Sequence, residues 1–126
     1  MIKLNHTIVY AHDKRASSTF LADLFGLQAP VPFGPFLTVE VDNEVTLDYH
    51  DAEGDIAKQH YAFLVSDDAF DAIFERIGAR GMPYWADPRH GQPSQINTRD
   101  GGRGVYFDDP DGHVLEIITT PYGVAR

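Results

Sequence analysis

The chain repeats its own order at an interval of 54 residues. That shift lays His6 on His60, Asp13 on Asp67 and Phe20 on Phe74. The identities are sparse, but strand pattern falls on strand pattern and helix pattern on helix pattern. Such self-similarity restricts the fold to two copies of one supersecondary unit. With 126 residues, 43% of them apolar and 23% charged, the chain has the length of one domain. It can bury a core without disulfides or a structural metal.

The first copy opens on alternation. Ile2, Leu4, His6 and Ile8 share one face of a strand over 2–9, and Lys3, Asn5 and Thr7 the other. Asp13 caps a helix from Lys14 to Phe25, with Ala16, Phe20 and Leu24 as its buried stripe and Gly26 as its stop. Residues 29–35 carry three prolines and read as a stiff loop. Phe36–Val41 and Val45–His50 are strands joined at Asp42-Asn43, and residues 51–58 are a polar linker.

The second copy restarts with a strand over Gln59–Val65. Ser66 caps a helix whose Phe70, Ile73, Phe74 and Ile77 have core-facing spacing, and Gly78 ends it. Strands follow near Met82–Trp85, Val105–Phe107 and Val114–Thr119. The reading is α+β: two βαβββ modules, about 1–52 and 58–121, in one domain, each with a helix on one face of a small sheet.

Composition removes several chemistries. Cysteine is absent, which excludes thiol catalysis, iron–sulfur clusters and cysteine-ligated zinc. A formal net charge of −9 offers no basic stripe for nucleic acid or an anionic membrane. No apolar run is long enough to span a bilayer, and no signal core opens the chain, so the expected location is the cytoplasm.

Three residues stand out for chemistry. Glu116 falls on the inward face of the last strand between Val114 and Ile118, where a carboxylate is costly unless paired or coordinated. His6 and His60 occupy equivalent strand positions. Two imidazoles and a carboxylate make a facial triad suited to Fe(II), and also to Mn or Zn. Taken singly, each histidine reads first as a hydrogen-bonded structural residue, and only the three together favour the triad. Asp48 is a possible fourth ligand or substrate contact, and His50 and His90 are candidate bases. Trp85 and Arg89 read as a cavity rim or as an ordinary packed turn. Asn97 is a candidate substrate donor, and Tyr106 either reaches a ligand or packs in the core.

Three segments carry a resemblance: Leu4-Asn5-His6-Thr7-Ile8-Val9, Gln59-His60-Tyr61-Ala62-Phe63-Leu64-Val65, and the run from Gly104 through Asp109-Pro110-Asp111-Gly112-His113 to Glu116-Ile117. The chain resembles the vicinal oxygen chelate superfamily of glyoxalases, bleomycin-resistance proteins and extradiol dioxygenases. The resemblance implies a half-open barrel around a divalent metal held by His6, His60 and Glu116, and a homodimer. Glyoxalase I has a fourth ligand where Asp48 stands, and the shorter side chain counts against that activity. Fosfomycin-modifying members share the three ligands, and Arg103 with Tyr106 is similar to their phosphonate end. The aromatic and proline-rich middle argues the other way.

Pro83-Tyr84-Trp85-Ala86-Asp87-Pro88 and the Asp100–Phe107 segment are most similar to the small dioxygenases of aromatic polyketide biosynthesis. That likeness implies an Fe(II)-dependent dioxygenase, an oxidoreductase of antibiotic biosynthesis. It would bind an aromatic substrate through vicinal oxygens and use dioxygen, with Mn, Ni or Zn as other metals and a flavin or external reductant left open. The alternatives are a non-oxidative metal-dependent lyase, isomerase or transferase, and a self-resistance protein that sequesters a natural product.

Overall fold

The computed structural model describes residues 1–122. The chain divides into two compact units, Met1–Ala57 and the part from Lys58 onward. In the first, β1 (His6–Ala11) leads to α1 (Lys14–Phe25), then β2 (Val31–Phe33), β3 (Phe36–Glu40) and β4 (Thr46–Asp51). In the second, β5 (His60–Leu64) leads to α2 (Asp67–Ala79), then β6 (Gly104–Asp108) and β7 (Val114–Ile118).

The helix ends follow the sequence chemistry. The Asp13 carboxylate accepts the N–H groups of Arg15 and Ala16, and Gly26 takes the left-handed conformation (φ 67°) that closes α1. Ser66 caps α2 through the Ala69 N–H, and Asp67 and Asp68 complement the positive end of its dipole. The buried stripe of α1 differs from the expected one. Ser17, Ser18, Leu21, Ala22 and Leu24 are buried, while Ala16 is exposed. The expected stripe kept strict i, i+4 steps, whereas the real face also uses the i+3 neighbours that a 3.6-residue turn brings round.

The first sheet has the order β1-β4-β3-β2, with β1 parallel to β4. Val9, Ala11, Leu37, Val39, Leu47 and Tyr49 form its buried face. The proline-rich segment is a short edge strand, not a loop. Pro32 is tolerated there because an edge strand has one side without a ladder partner.

The second sheet has the order β5-β7-β6, with β5 parallel to β7. Val105, Phe107 and Ile117 are fully buried, each such side chain contributing about 1.5–3 kcal/mol. The Arg103 guanidinium reaches Asp71 (2.7 Å) and Asp67 (3.0 Å) and lies over the Phe70 ring, tying β6 to α2.

Two expectations are corrected. The strand expected near Met82–Trp85 is reduced to bridges, with Trp85 paired to Tyr106 and to Pro93. Pro83 has no N–H to give, and the Asp87 carboxylate gathers the N–H groups of Gly91 and Gln92, so the chain turns instead of extending. The expected half-open barrel around a metal site is also not what forms. Among the described residues there are two open sheets flanked by helices, and neither closes on itself, since the end strands of each sheet do not pair with one another. Among the described residues no group of three His, Cys, Asp or Glu side chains is arranged to hold a metal.

Candidate functional site

Strand register assembles the most unusual cluster in the second unit. The parallel β5–β7 pairing sets His60 opposite Val114 and Ala62 opposite Glu116. The antiparallel β6–β7 pairing sets Tyr106 opposite Glu116, and the Trp85 bridge extends the row. Residues opposite one another share a face, so Trp85, Tyr106 and Glu116 lie side by side with His60 diagonal to Glu116.

Glu116 is 1% exposed, a costly place for a carboxylate unless both oxygens are satisfied. Oε1 lies 3.1 Å from His60 Nε2, and Oε2 accepts the Tyr122 hydroxyl. His60 Nδ1 lies 2.9 Å from the Val114 carbonyl. A carbonyl only accepts, so Nδ1 carries a hydrogen. In a neutral ring, Nε2 then points a lone pair at a carboxylate oxygen. That contact is repulsive unless a positive charge joins the two atoms, either a proton on Nε2 or a cation bound by both. The donor set fits a divalent metal: bonds of about 2.1 Å to adjacent positions bring nitrogen and oxygen to about 3 Å from each other. The carbonyl-anchored imidazole is also how metal-binding histidines are usually held.

The walls are aromatic. The Tyr106 ring stacks on His60, with centroids 5.9 Å apart and planes at 26°. The Tyr106 hydroxyl accepts from Arg99 Nη1 at 3.1 Å and lies 3.4 Å from the Tyr122 hydroxyl. Burial, then the bond to Glu116, pushes the Tyr122 phenol up from its ordinary pKa, so it stays a donor at neutral pH. Tyr122 was not singled out in the sequence. It follows Pro121 outside any periodic segment, and only the end of β7 turning back brings it to Glu116.

The other candidates fall in separate places. Trp85 is covered on one face by the His90 ring at 3.6 Å, and His90 Nε2 lies 3.3 Å from Asp108. Arg89 is exposed in the same turn. The Asn97 amide donates to the Ala86 carbonyl and accepts the Arg99 N–H, bracing the loop. Arg103, paired to Asp67 and Asp71, is already engaged on α2.

His6, Asp48 and His50 belong to the first unit. His6 is exposed, with Nδ1 2.7 Å from the Asn5 side chain. Asp48 is buried and accepts the Thr46 hydroxyl at 2.9 Å. His50 binds the Asp51 carbonyl and packs between Tyr10 and Phe36.

A family model described as "Glyoxalase/Bleomycin resistance protein/Dioxygenase superfamily" matches residues 3–117. The chain is 31% identical over 121 residues to "Glutathione transferase FosA" of Serratia marcescens, covering 90% of this chain and 78% of that one. It is 27% identical over 127 residues to "Metallothiol transferase FosB" of Lysinibacillus sphaericus (strain C3-41), covering 92% and 81%. A solved structure named "Oxidase ChaP-H1" superposes with a TM-score of 0.96 at 60% identity, covering 98% of this chain and all of that one.

These likenesses correct the functional expectation. The Fe(II) dioxygenase acting with dioxygen on an aromatic, polyketide-like substrate is replaced by the non-oxidative alternative. The curated relatives are named for thiol transfer and fosfomycin resistance. The three-donor cluster that reading required is not assembled among the described residues either. The oxidoreductase, iron and antibiotic-biosynthesis assignments fall with it. A divalent metal cofactor in general accords with the metallothiol transferases among the relatives. No helix is long and apolar enough to cross a membrane among the described residues.

Proposed function

Because the chain belongs to the Glyoxalase/Bleomycin resistance protein/Dioxygenase superfamily, we propose that it is a metal-dependent enzyme that transfers a thiol to a small oxygen-bearing electrophile. One observation carries the reading: His60 Nε2 and Glu116 Oε1 face each other at 3.1 Å while Nδ1 is engaged by a carbonyl. These two atoms are the proposed metal donors. A divalent cation bound there supplies Lewis-acid polarisation of a substrate oxygen.

The chain's own residues define the rest. Arg99 places a guanidinium at Tyr106 and so favours an anionic substrate group beside it. Arg103 does not serve that role, because two aspartates already hold it. The chain has no cysteine, so the thiol comes from a co-substrate. In the balanced step, a carbon–sulfur bond forms as a strained carbon–oxygen bond opens. The thiol proton ends on the released oxygen.

The test uses fosfomycin and glutathione with protein loaded in turn with Mn(II), Ni(II) and Zn(II), under strict anaerobiosis. An adduct of summed mass, lost in His60→Ala, is the expected result. Turnover that instead requires oxygen, which the name of the 60%-identical structure makes the sharpest rival outcome, overturns the proposal.

A further inference from the structure

The buried carboxylate is held by more than its histidine. Arg99 can only donate, so the Tyr106 oxygen accepts from it. The single Tyr122 hydroxyl hydrogen is committed to Glu116 Oε2. The 3.4 Å contact between the two phenols therefore has Tyr106 donating to Tyr122. The outcome is a donor network that ends on Glu116: Arg99 reaches both phenols, Tyr106 donates to Tyr122, and Tyr122 donates to the carboxylate. The Glu116 carboxylate, which only accepts, fixes the Tyr122 hydrogen, and that commitment in turn fixes the Tyr106 hydrogen. The network starts from an exposed, permanently charged residue and ends on a carboxylate that is 1% exposed.

Its effect is on which oxygen of Glu116 is free. Oε2 is held by Tyr122, and Oε1 is the oxygen that faces His60 Nε2. A carboxylate left to rotate can offer both oxygens or turn away. We infer that Tyr122 is a positioning residue that fixes Glu116 as a single-oxygen donor toward His60, with Tyr106, itself held by Arg99, donating to the Tyr122 oxygen. The inference rests on the metal reading of His60 and Glu116 given above. Tyr122 itself acts only through Glu116. Hydrogen bonds to a ligating carboxylate typically matter at the level of about 10–100-fold in metal affinity.

The experiment is a Co(II) titration of the metal-free full chain, read by visible absorption and by bound-metal analysis, with no substrate present. Tyr122→Phe removes one hydroxyl and leaves the ring. It is expected to weaken Co(II) binding about 10–100-fold and to change the ligand-field bands as Glu116 gains freedom to offer both oxygens. Tyr106→Phe leaves Tyr122 in place and is expected to weaken binding by a smaller factor. Glu116→Gln is expected to lose Co(II) binding altogether. Unchanged or tighter binding in Tyr122→Phe, with an unaltered spectrum, overturns the positioning role even if Glu116→Gln has lost binding. Wild-type binding in Glu116→Gln overturns the metal reading itself. Far-UV circular dichroism of each variant separates these outcomes from misfolding. If Tyr122→Phe does not fold, Tyr106→Phe decides alone, and unaltered binding there overturns the network of donors.

Discussion

The two modules place a histidine and a carboxylate at the same register, yet only one module brings them together. His60 is opposite Val114, and Glu116 sits two residues along β7. His6 is opposite Thr46, and Asp48 sits two residues along β4. The parallel backbone pairing is the same. In the second module, Val114 leaves its carbonyl to the His60 ring, and the longer glutamate meets Nε2. In the first, the hydroxyl of Thr46 captures the shorter Asp48, and His6 turns to Asn5. One methylene and one hydroxyl separate a ligand-like pair from an internally satisfied aspartate. A carboxylate that must be buried takes the nearest donor, and the neighbouring residue decides which donor that is.

The largest effect follows from removing the two carboxylates in turn. Glu116→Ala should lower Co(II) affinity by about 100-fold or more, at or beyond the loss typical for removing a ligand's hydrogen-bond partner, while Asp48→Ala should change it by less than about threefold, well short of that loss. Calorimetric or spectroscopic titration checks this, and equal losses would break the comparison.

The next effect concerns the loop of residues 80–98, which stands where the first module has an edge strand. A Cβ on Gly104 would lie 2.9 Å from Asn97 Oδ1, and that side chain braces the loop through Ala86. Gly104→Ala should destabilise by about 1–3 kcal/mol, read by urea unfolding. A neutral result would show that Asn97 moves aside freely.

Val114→Thr copies the first module's device into the second. Its hydroxyl should compete for Glu116 and weaken Co(II) binding about fivefold, a change of about 1 kcal/mol. Unchanged affinity would mean that side-chain length alone separates the modules.

The smallest effect is a pH dependence in the same loop. The Gly91 N–H, opposed by burial and joined by Gln92, holds the Asp87 carboxyl below its ordinary 3.8. A depressed carboxyl contributes stability above the unfolded value and loses it as pH falls through the lowered one. Asp87→Asn should therefore be less stable than wild type at pH 7. The difference should vanish as pH drops through the acid range below 3.8, measured as urea midpoints at a series of pH values. A difference that persists in acid would place the effect elsewhere.

Much of this fold was readable from local chemistry. Asp13, Ser66 and Gly26 mark helix ends because their capping contacts are made within a few residues. Period-two alternation located β5 and β7, and with them the positions of His60 and Glu116, but β1 begins only at His6 and buries Val9 and Ala11, while Ile2, Leu4 and Ile8 of the expected apolar face are exposed. Legibility stopped where contacts became distant. The Trp85 strand dissolved because Asp87 recruited nearby N–H groups instead of a ladder. The proline-rich segment became a strand because β3 offered it an edge. The half-open barrel came with the family likeness, and the described sheets are open.

Residue types and spacing by themselves determined that there would be two related α+β units, where both helices begin and where α1 ends, and that a carboxylate would lie among apolar neighbours on the last strand; α2 instead runs through Gly78 to Ala79. Those properties depend on backbone propensity and on periods of two and 3.6 residues, which act over short separations. Only the tertiary structure decided that Glu116 meets His60, that Val114 fixes the imidazole's hydrogen, and that Arg99, Tyr106 and Tyr122 line up behind the carboxylate. Hydrogen-bond direction depends on which donors and acceptors converge in space, and strand register alone brings residues 60, 106 and 116 onto one face.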